Sequence, residues 1–416
     1  MTNKPSRLIS RRAFLRQSGA LAGLSASLAV FPSWMPRLSF APRYENPPGD
    51  VLVYIFLRGG ADGLNMIVPH ADADYYTARP QIAVPEAEVL DLDGFFGLHP
   101  ALAPLLPIFQ DGNMVAVHAV GNPNPTRSHF DAQHLVESGA QAKLDSGWVG
   151  RHLAALHPES DAPLRAVGWG ISVQRALHGT KAIALQSIVD YHLQGRSEAA
   201  QAMLETLDAL YTLDQYGLAE AAHATRDAVQ VVQSVNVDAY PPQNSVTYPE
   251  DDFGQALRQT AVLMRAEVGL EAACIDLGGW DTHENQGSVE GRQAQVMQQL
   301  AQGLAAFYTD LGPQVERVTV VVMSEFGRRV TENASGGTDH GHGNMMLVMG
   351  SELTARPVIA QWPTLTEEAR DRGDLAITID YRSVLSEILQ HKLGATALER
   401  VFPDFAPQPV GLVAAR

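Results

Sequence analysis

The feature that most constrains this chain is a recurring unit: an apolar, largely β-branched run that stops abruptly in acids, histidines, glycines and hydroxyls. Val318 to Met323 leads into Ser324-Glu325-Phe326-Gly327-Arg328-Arg329 and then Gly337-Thr338-Asp339-His340-Gly341-His342-Gly343-Asn344. Val51 to Leu57 ends in Arg58-Gly59-Gly60-Ala61-Asp62-Gly63-Leu64-Asn65. Met114 to Val120 ends in Gly121-Asn122-Pro123-Asn124-Pro125-Thr126-Arg127-Ser128-His129-Phe130-Asp131, and Leu270 to Leu277 in Gly278-Gly279-Trp280-Asp281-Thr282-His283. Runs that are apolar throughout, rather than alternating, read as strands covered on both faces. Met345 to Met349 reads as another. Helical patterns lie between them: His99 to Phe109, a helix starting near Thr126 or Ser128, then 148–156, 197–236, 253–268, Gln293 to Leu311 and Tyr381 to Lys392. Strands alternating with helices predict an α/β fold, a central mostly parallel sheet sandwiched by helices. Residues 197–250 hold no metal-type cluster and read as a helical insertion or cap.

Open α/β sheets place their ligands at the carboxyl ends of their strands. The four polar exits therefore share one edge and can converge. They offer Asp62; Arg127, Ser128 and His129; Asp281 and His283; and Glu325, Asp339, His340 and His342. Carboxylates mixed with imidazoles, without thiols, suit zinc, manganese, magnesium or calcium and exclude an iron–sulfur centre. Asp62, Asp281, His283, Glu325, Asp339, His340 and His342 exceed one tetrahedral site, so either two ions bind or some of these residues stand behind the ligands. Ser128 at a helix amino terminus beside Arg127 suits an anionic ester, with Ser128 as nucleophile, Arg127 on the anion and His129 as an acid/base or supporting group. Arg328 is a spare anion contact. Each has a plainer reading: Asp62 as turn chemistry, Ser128 as a helix cap, Trp280 and Phe326 as packing. His99, His118, His134, His152, His157 and His178 are scattered and read as structural or solvated.

The amino terminus stands apart. Ser10-Arg11-Arg12-Ala13-Phe14-Leu15-Arg16 followed by a Gly/Ala/Ser-rich apolar stretch, Ser18 to Val30, matches a twin-arginine export signal within residues 1–41, with the cleavage point unplaced. This implies the periplasm or the extracellular space, with a membrane anchor if the leader is retained, and the twin-arginine translocase as a partner during export. The leader holds six basic residues and no acids, so without it the formal charge moves from −16 to −22. So acidic a chain repels nucleic acid. Cys274, the single cysteine, lies in an apolar run and reads as a buried strand residue.

Taken together, the leader, Gly59 to Asn65, Arg127-Ser128-His129-Phe130, Gly279 to His283, Ser324 to Arg328 and Gly337 to Gly341 resemble the exported family called domain of unknown function 1501, over nearly the whole chain after the leader. That family is grouped with the alkaline phosphatase and sulfatase superfold, which implies one alkaline-phosphatase-like domain over 42–416 with metals at the carboxyl end of the sheet. By that resemblance Asp62 stands where the superfamily has a metal-ligating aspartate, two or three residues later than usual. Asp281 and His283 are similar to an aspartate–histidine pair of wider spacing. Ser324-Glu325-Phe326-Gly327 resembles Ser-Asp-His-Gly with Phe326 replacing the histidine, for which Asp339, His340 or His342 would substitute. Pro123-Asn124-Pro125-Thr126-Arg127 has the spacing of the sulfatase Cys/Ser-x-Pro-x-Arg pattern, but a proline cannot become formylglycine. The nucleophile then falls to Ser128 or to water. The expectation is an exported hydrolase of phosphate or sulfate esters, of small molecules or glycans, using one or two ions of zinc, manganese or calcium. Its rival is a noncatalytic envelope protein that binds a partner or glycan on a degenerate hydrolase fold.

Overall fold

The fold comes from a computed structural model, which describes residues 50–158, 160, 162–189 and 218–413. The expected leader and residues 190–217, which include the first part of the expected insertion, lie outside the described residues. Nine described strands form the main sheet: β1 (Val51–Leu57), β2 (Met114–Gly121), β3 (Ala166–Trp169), β4 (Ile183–Leu185), β5 (Ala272–Leu277), β6 (Val318–Ser324), β7 (Asn344–Met349), β8 (Val358–Ile359) and β9 (Ile379–Asp380). Their order is β8-β2-β7-β6-β1-β5-β3-β4, with β9 beside β2. β1 lies at the centre, paired in parallel with β5 from Leu52 opposite Ala272 and with β6 from Val51 opposite Val318. All seven residues of β1 and of β6 are buried, as continuous apolar runs require of a sheet covered on both faces.

Six longer helices supply that cover: α1 (His129–Ser138), α2 (Trp148–Leu156), α3 (Leu218–Ser234), α4 (Asp252–Arg265), α5 (Arg292–Leu311) and α6 (Tyr381–His391). Side chains alternate across the pleat. Val51, Val53, Ile55 and Leu57 join Leu300, Leu304 and Phe307 of α5 and Leu257 of α4 in one core. Leu52, Tyr54 and Phe56 join Trp148 and Leu153 of α2 and Leu385 and Leu389 of α6 in the other. Each such side chain contributes roughly 1.5–3 kcal/mol when buried, so the two cores fix the sheet whose edge carries the polar loops. No helix among the described residues is long and apolar enough to cross a membrane.

Two expectations are refined. The segment expected as a helix from His99 to Phe109 is a 3-10 helix over Pro100–Leu105 followed by an α-helix over Leu106–Gln110. Pro104 and Pro107 lack the amide hydrogens a continuous helix would need there. β7 runs antiparallel to both β6 and β2. Residues 325–343 contain no helix to carry the chain back across the sheet, so β7 starts at the edge where β6 ends. That reversal brings Asp339, His340 and His342 to the carboxyl edge.

Candidate metal centre

Three loops build the centre. The first joins β6 to β7 and is folded back on itself: Gly327 N donates to His342 O at 3.0 Å, and Gly341 N to Gly327 O at 2.8 Å. A Cβ at Gly341 would lie 2.3 Å from the Arg328 carbonyl carbon, and one at Gly327 1.9 Å from Gly343 O, so this close approach demands glycine. The second loop leaves β5, buries Trp280 and presents Asp281 and His283. The third leaves β2 through Pro123 and Pro125 and enters α1 at His129, capped by Ser128, whose Oγ accepts the Asp131 N–H.

Four donor atoms converge. Nε2 of His340 lies 2.9 Å from Nε2 of His129 and 2.9 Å from Nε2 of His283. Asp281 Oδ1 is 3.1 Å from His283 Nε2, 3.4 Å from His340 Nε2 and 3.6 Å from His129 Nε2. Ligand atoms about 2.0–2.1 Å from a tetrahedral zinc ion stand about 3.3 Å apart, and these separations bracket that figure. The ligand atoms of His129, Asp281 and His340 all lie within 4.8 Å of one another, and those of His283, Asp281 and His340 within 3.4 Å, so Asp281 and His340 are shared by two overlapping triads. The Asp281 and His283 side chains are 48% and 43% exposed, so the cluster opens to solvent on one side.

Each imidazole hydrogen is committed on the far side. His129 Nδ1 donates to Glu325 Oε1 at 2.7 Å, His283 Nδ1 to Asp339 Oδ1 at 3.2 Å, and His340 Nδ1 to the Arg127 carbonyl at 2.8 Å. A carbonyl can only accept, and both carboxyls sit below the usual carboxylate range. Burial raises Glu325, but its bonds from His129 and Gln133 outweigh that; burial likewise raises Asp339 less than Asn333 and His283 lower it. With Nδ1 protonated and the rings neutral, three Nε2 lone pairs and a carboxylate oxygen face one another. A single proton cannot bridge so many acceptors, whereas a divalent cation suits either triad of them, and acceptors behind ligating imidazoles are a regular feature of metal sites. The residues present fit zinc or a similar ion.

The local charges keep Asp281 ionised. Burial raises its carboxyl, but the hydrogen bond and charge of Arg328, with His283 and His129, bring it below the usual range. Arg328 is fully buried, 2.6 Å from Asp281 Oδ1, and also donates to carbonyls of Gly59, Gly60, Trp280 and Thr338. The bond to Glu325 raises the His129 pKa against the effect of burial. Burial lowers that of His340, against its bond to Arg127 and with the charges of His129 and Arg328. The Phe326 ring packs 4.9 Å from the His129 ring and 5.0 Å from that of His340, an apolar wall behind the imidazoles.

Of the residues expected at the site, His129, Asp281, His283 and His340 converge, and Glu325 and Asp339 stand directly behind them. Glu325 Oε1 accepts from His129, Gln133 Nε2 and Gly59 N, all within 2.9 Å. Asp62 lies apart, fully buried and chelated by Arg79 at 2.6 and 3.0 Å. His342 is spent elsewhere: Nδ1 on Asp371 at 2.8 Å and Nε2 on the Asn122 carbonyl at 3.0 Å. Arg127 offers its carbonyl to His340 while its guanidinium, partly exposed, pairs with Asp374. Ser128 is exposed. Sequence reasoning passed over Gln133 and Asn333. Gln133 was findable, four residues after His129 on the same helix face. Asn333, whose Nδ2 reaches His283 O and Asp339 Oδ1 at 2.8 and 3.2 Å, carries no motif.

Residues 113–398, which contain His129, Asp281, His283 and His340 with Glu325 and Asp339 behind them, match the model of the family described as protein of unknown function (DUF1501). The chain belongs to that family. No curated protein matches it. Solved structures similar to this family member include the C-terminal periplasmic domain of EcEptC from Escherichia coli in complex with Zn, at 10% identity, 88% of this chain, 90% of that chain and a TM-score of 0.37. PsFucS1 sulfatase from Pseudoalteromonas sp. is 12% identical over 92% of this chain and 72% of that chain, with a TM-score of 0.35. Lipoteichoic acid synthase LtaP from Listeria monocytogenes is 9% identical over 82% and 78% respectively, with a TM-score of 0.32. Identities and scores this low carry no residue role across.

Proposed function

We propose that this chain is an exported, metal-dependent hydrolase of phosphate or sulfate esters of small molecules or glycans. The observation that carries it is the set of inward-facing Nε2 atoms of His129, His283 and His340 with Asp281 Oδ1. Their hydrogens are committed outward, and the open side faces solvent. In this reading His129, Asp281, His283 and His340 hold one or two divalent ions, zinc, manganese or calcium. Glu325, Asp339 and the Arg127 carbonyl orient the rings. When bound, such an ion supplies Lewis acidity for an ester oxygen and acidifies water.

Ser128 is exposed, precedes His129 in the chain and sits at the amino terminus of α1. Backbone N–H groups of a first helical turn favour an anion there. We assign it as the nucleophile, with Arg127 holding the anion. Asp374 is shared by the partly exposed guanidinium of Arg127 and, more distantly at 3.9 Å, by that of Arg329. Two cations facing one carboxylate leave a positive surplus for a doubly charged ester. The export assignment rests on the twin-arginine pattern, with the translocase as partner.

The test is metal content by mass spectrometry on protein purified without chelator, followed by turnover of nitrophenyl phosphate and sulfate. One or more equivalents, lost in a His283→Ala, His340→Ala double variant, support the site. Turnover in wild type that disappears in Ser128→Ala, with an unfolding free energy within about 1 kcal/mol as expected of a lost cap, supports the nucleophile. Turnover surviving in Ser128→Ala assigns the attack to water. Metal without any ester cleavage leaves the noncatalytic binding reading.

A further inference from the structure

Asp62, fully buried beside Arg79, is not among the converging donors, yet it is connected to their loops through one side chain. Gln286, itself fully buried, donates from Nε2 to Asp62 Oδ2 at 2.7 Å. Its Oε1 accepts Thr282 Oγ1 at 3.0 Å and Thr338 Oγ1 at 2.8 Å. Thr282 lies between Asp281 and His283; Thr338 lies two residues before His340. Both threonines are fully buried, and Thr338 N also donates to Thr282 O at 3.1 Å. A single amide thus clasps the two loops that bear three of the four donors. Its far end is anchored to the exit of β1, and Arg79 extends the anchor by donating to the carbonyls of Arg329 and Val330 at 2.8 Å each.

Building on the metal reading above, we infer that Gln286, clasping Thr282 and Thr338 and anchored on Asp62, is a positioning device. It sets the spacing of Asp281 and His283 against His340, and so the affinity and geometry of the metal centre. A rigid relay is what this centre needs. Backbone bonds from Thr338 N to Thr282 O, Asn285 N to Ser335 O and Gln286 N to Gly336 O, with Asn333 at the solvent side, also join its loops. The Gln286 amide, however, is the side chain that holds both threonines, and a shift of a few tenths of an ångström alters a tetrahedral cage whose ligand distances vary by only about ±0.2 Å. The relay also gives Asp62 a role consistent with its burial: it accepts from Arg79 and Gln286 and so cannot swing away without leaving a charge unpaired.

The experiment uses cobalt(II) as the probe in the full chain, reading affinity by titration and coordination by the visible absorption bands. Thr338→Val keeps shape and removes the hydroxyl; Thr338→Ser restores it. Loss of an outer-shell partner weakens metal binding by about 10–100-fold. We expect Thr338→Val near the lower end of that range, with weakened and shifted bands, and Thr338→Ser to recover both. Thr282→Val acts on the same amide from the other loop and gives the same result, so it carries the test if Thr338→Val does not fold. Wild-type affinity and bands in a folded Thr338→Val or Thr282→Val protein overturn the relay while leaving the metal centre intact. A folded wild-type protein that takes up no cobalt overturns the metal reading itself, and the relay with it.

Discussion

Asp62 and Asp281 leave the carboxyl ends of adjacent strands, β1 and β5, and each meets an arginine, but their remaining contacts differ in kind. Asp62 is closed: no exposed surface, two bonds from Arg79, one from Gln286. Arg79 in turn has acceptors in Asn65, Arg329 and Val330. Asp281 is open: one bond from Arg328, half its side chain in solvent, and three imidazole Nε2 atoms within 3.6 Å that, in neutral rings bonded through Nδ1, offer it no hydrogen. A polar cluster that satisfies itself holds a fold together. One whose donors are turned outward and whose lone pairs are turned inward needs something from outside. Residue types alone do not separate the two; the direction of each hydrogen does.

Breaking one partner on each side gives the largest contrast. Arg79→Met strands a buried carboxylate, for which about 3–5 kcal/mol of unfolding free energy is lost. His340→Ala, measured metal-free by the same urea unfolding, is expected to lose less than about 1 kcal/mol. It removes a lone pair from a crowded set and leaves no buried charge behind. Addition of zinc then stabilises wild type, by about 2.7 kcal/mol at a hundredfold excess over Kd, and not His340→Ala. Equal losses in the two metal-free variants would show that the two clusters serve the fold alike.

A buried histidine sharpens the comparison through pH. His118 is of the closed kind: Nε2 donates to Ile67 O at 3.0 Å and Nδ1 accepts the Ala119 N–H at 2.8 Å, so the neutral ring is satisfied and the charged ring is not. Burial pushes its pKa down to about 4. Because the folded value lies below the unfolded one near 6.5, the unfolded chain binds the proton first. The stabilising contribution is complete above about pH 6.5, and it is lost as pH falls toward 4. Linkage sets it at about 3 kcal/mol. In urea unfolding between pH 7.5 and 4.5, His118→Gln should show a slope shallower than wild type by about one proton across that window. Parallel slopes would place His118 outside the closed class.

What could be read in advance follows the same division. β1, β2, β5 and β6 were legible because continuous apolar runs have few alternatives to a doubly covered strand. β3, β4, β8 and β9 were not: each spans at most four residues, too few to carry a period. The histidines and acids at the strand exits stood out by composition. Their sorting into His129, Asp281, His283 and His340 facing inward, with Glu325 and Asp339 behind, depends on which ring nitrogen points where, and no spacing rule encodes that. Asp62 looked like a ligand because its partner Arg79 ends a short helix seventeen positions on and carries no motif. His342 shares its alternation with His340, but Asp371 and the Asn122 carbonyl, distant in sequence, claim both its nitrogens.

The smallest expected effect probes the boundary between the two kinds of cluster, at Glu325. This carboxylate is buried and saturated like Asp62, yet one of its donors is His129, whose other nitrogen faces the open centre. Glu325→Gln keeps the shape and removes the charge. Its amide can still accept from His129, so the ring stays in place, but the charge that strengthens the ring as a donor is gone. We expect about tenfold weaker zinc binding, and, in metal-free protein followed by NMR, a His129 pKa lowered from its wild-type value, because the bond to Glu325 is the main cause that raises it. Urea unfolding should change by less than in Arg79→Met, since no ion is left unpaired in the interior. If zinc affinity is unchanged while the His129 titration moves, Glu325 tunes a proton rather than a metal ligand. The centre would then have to be held by Asp281, His283 and His340, with His129 turned from ligand to acid or base.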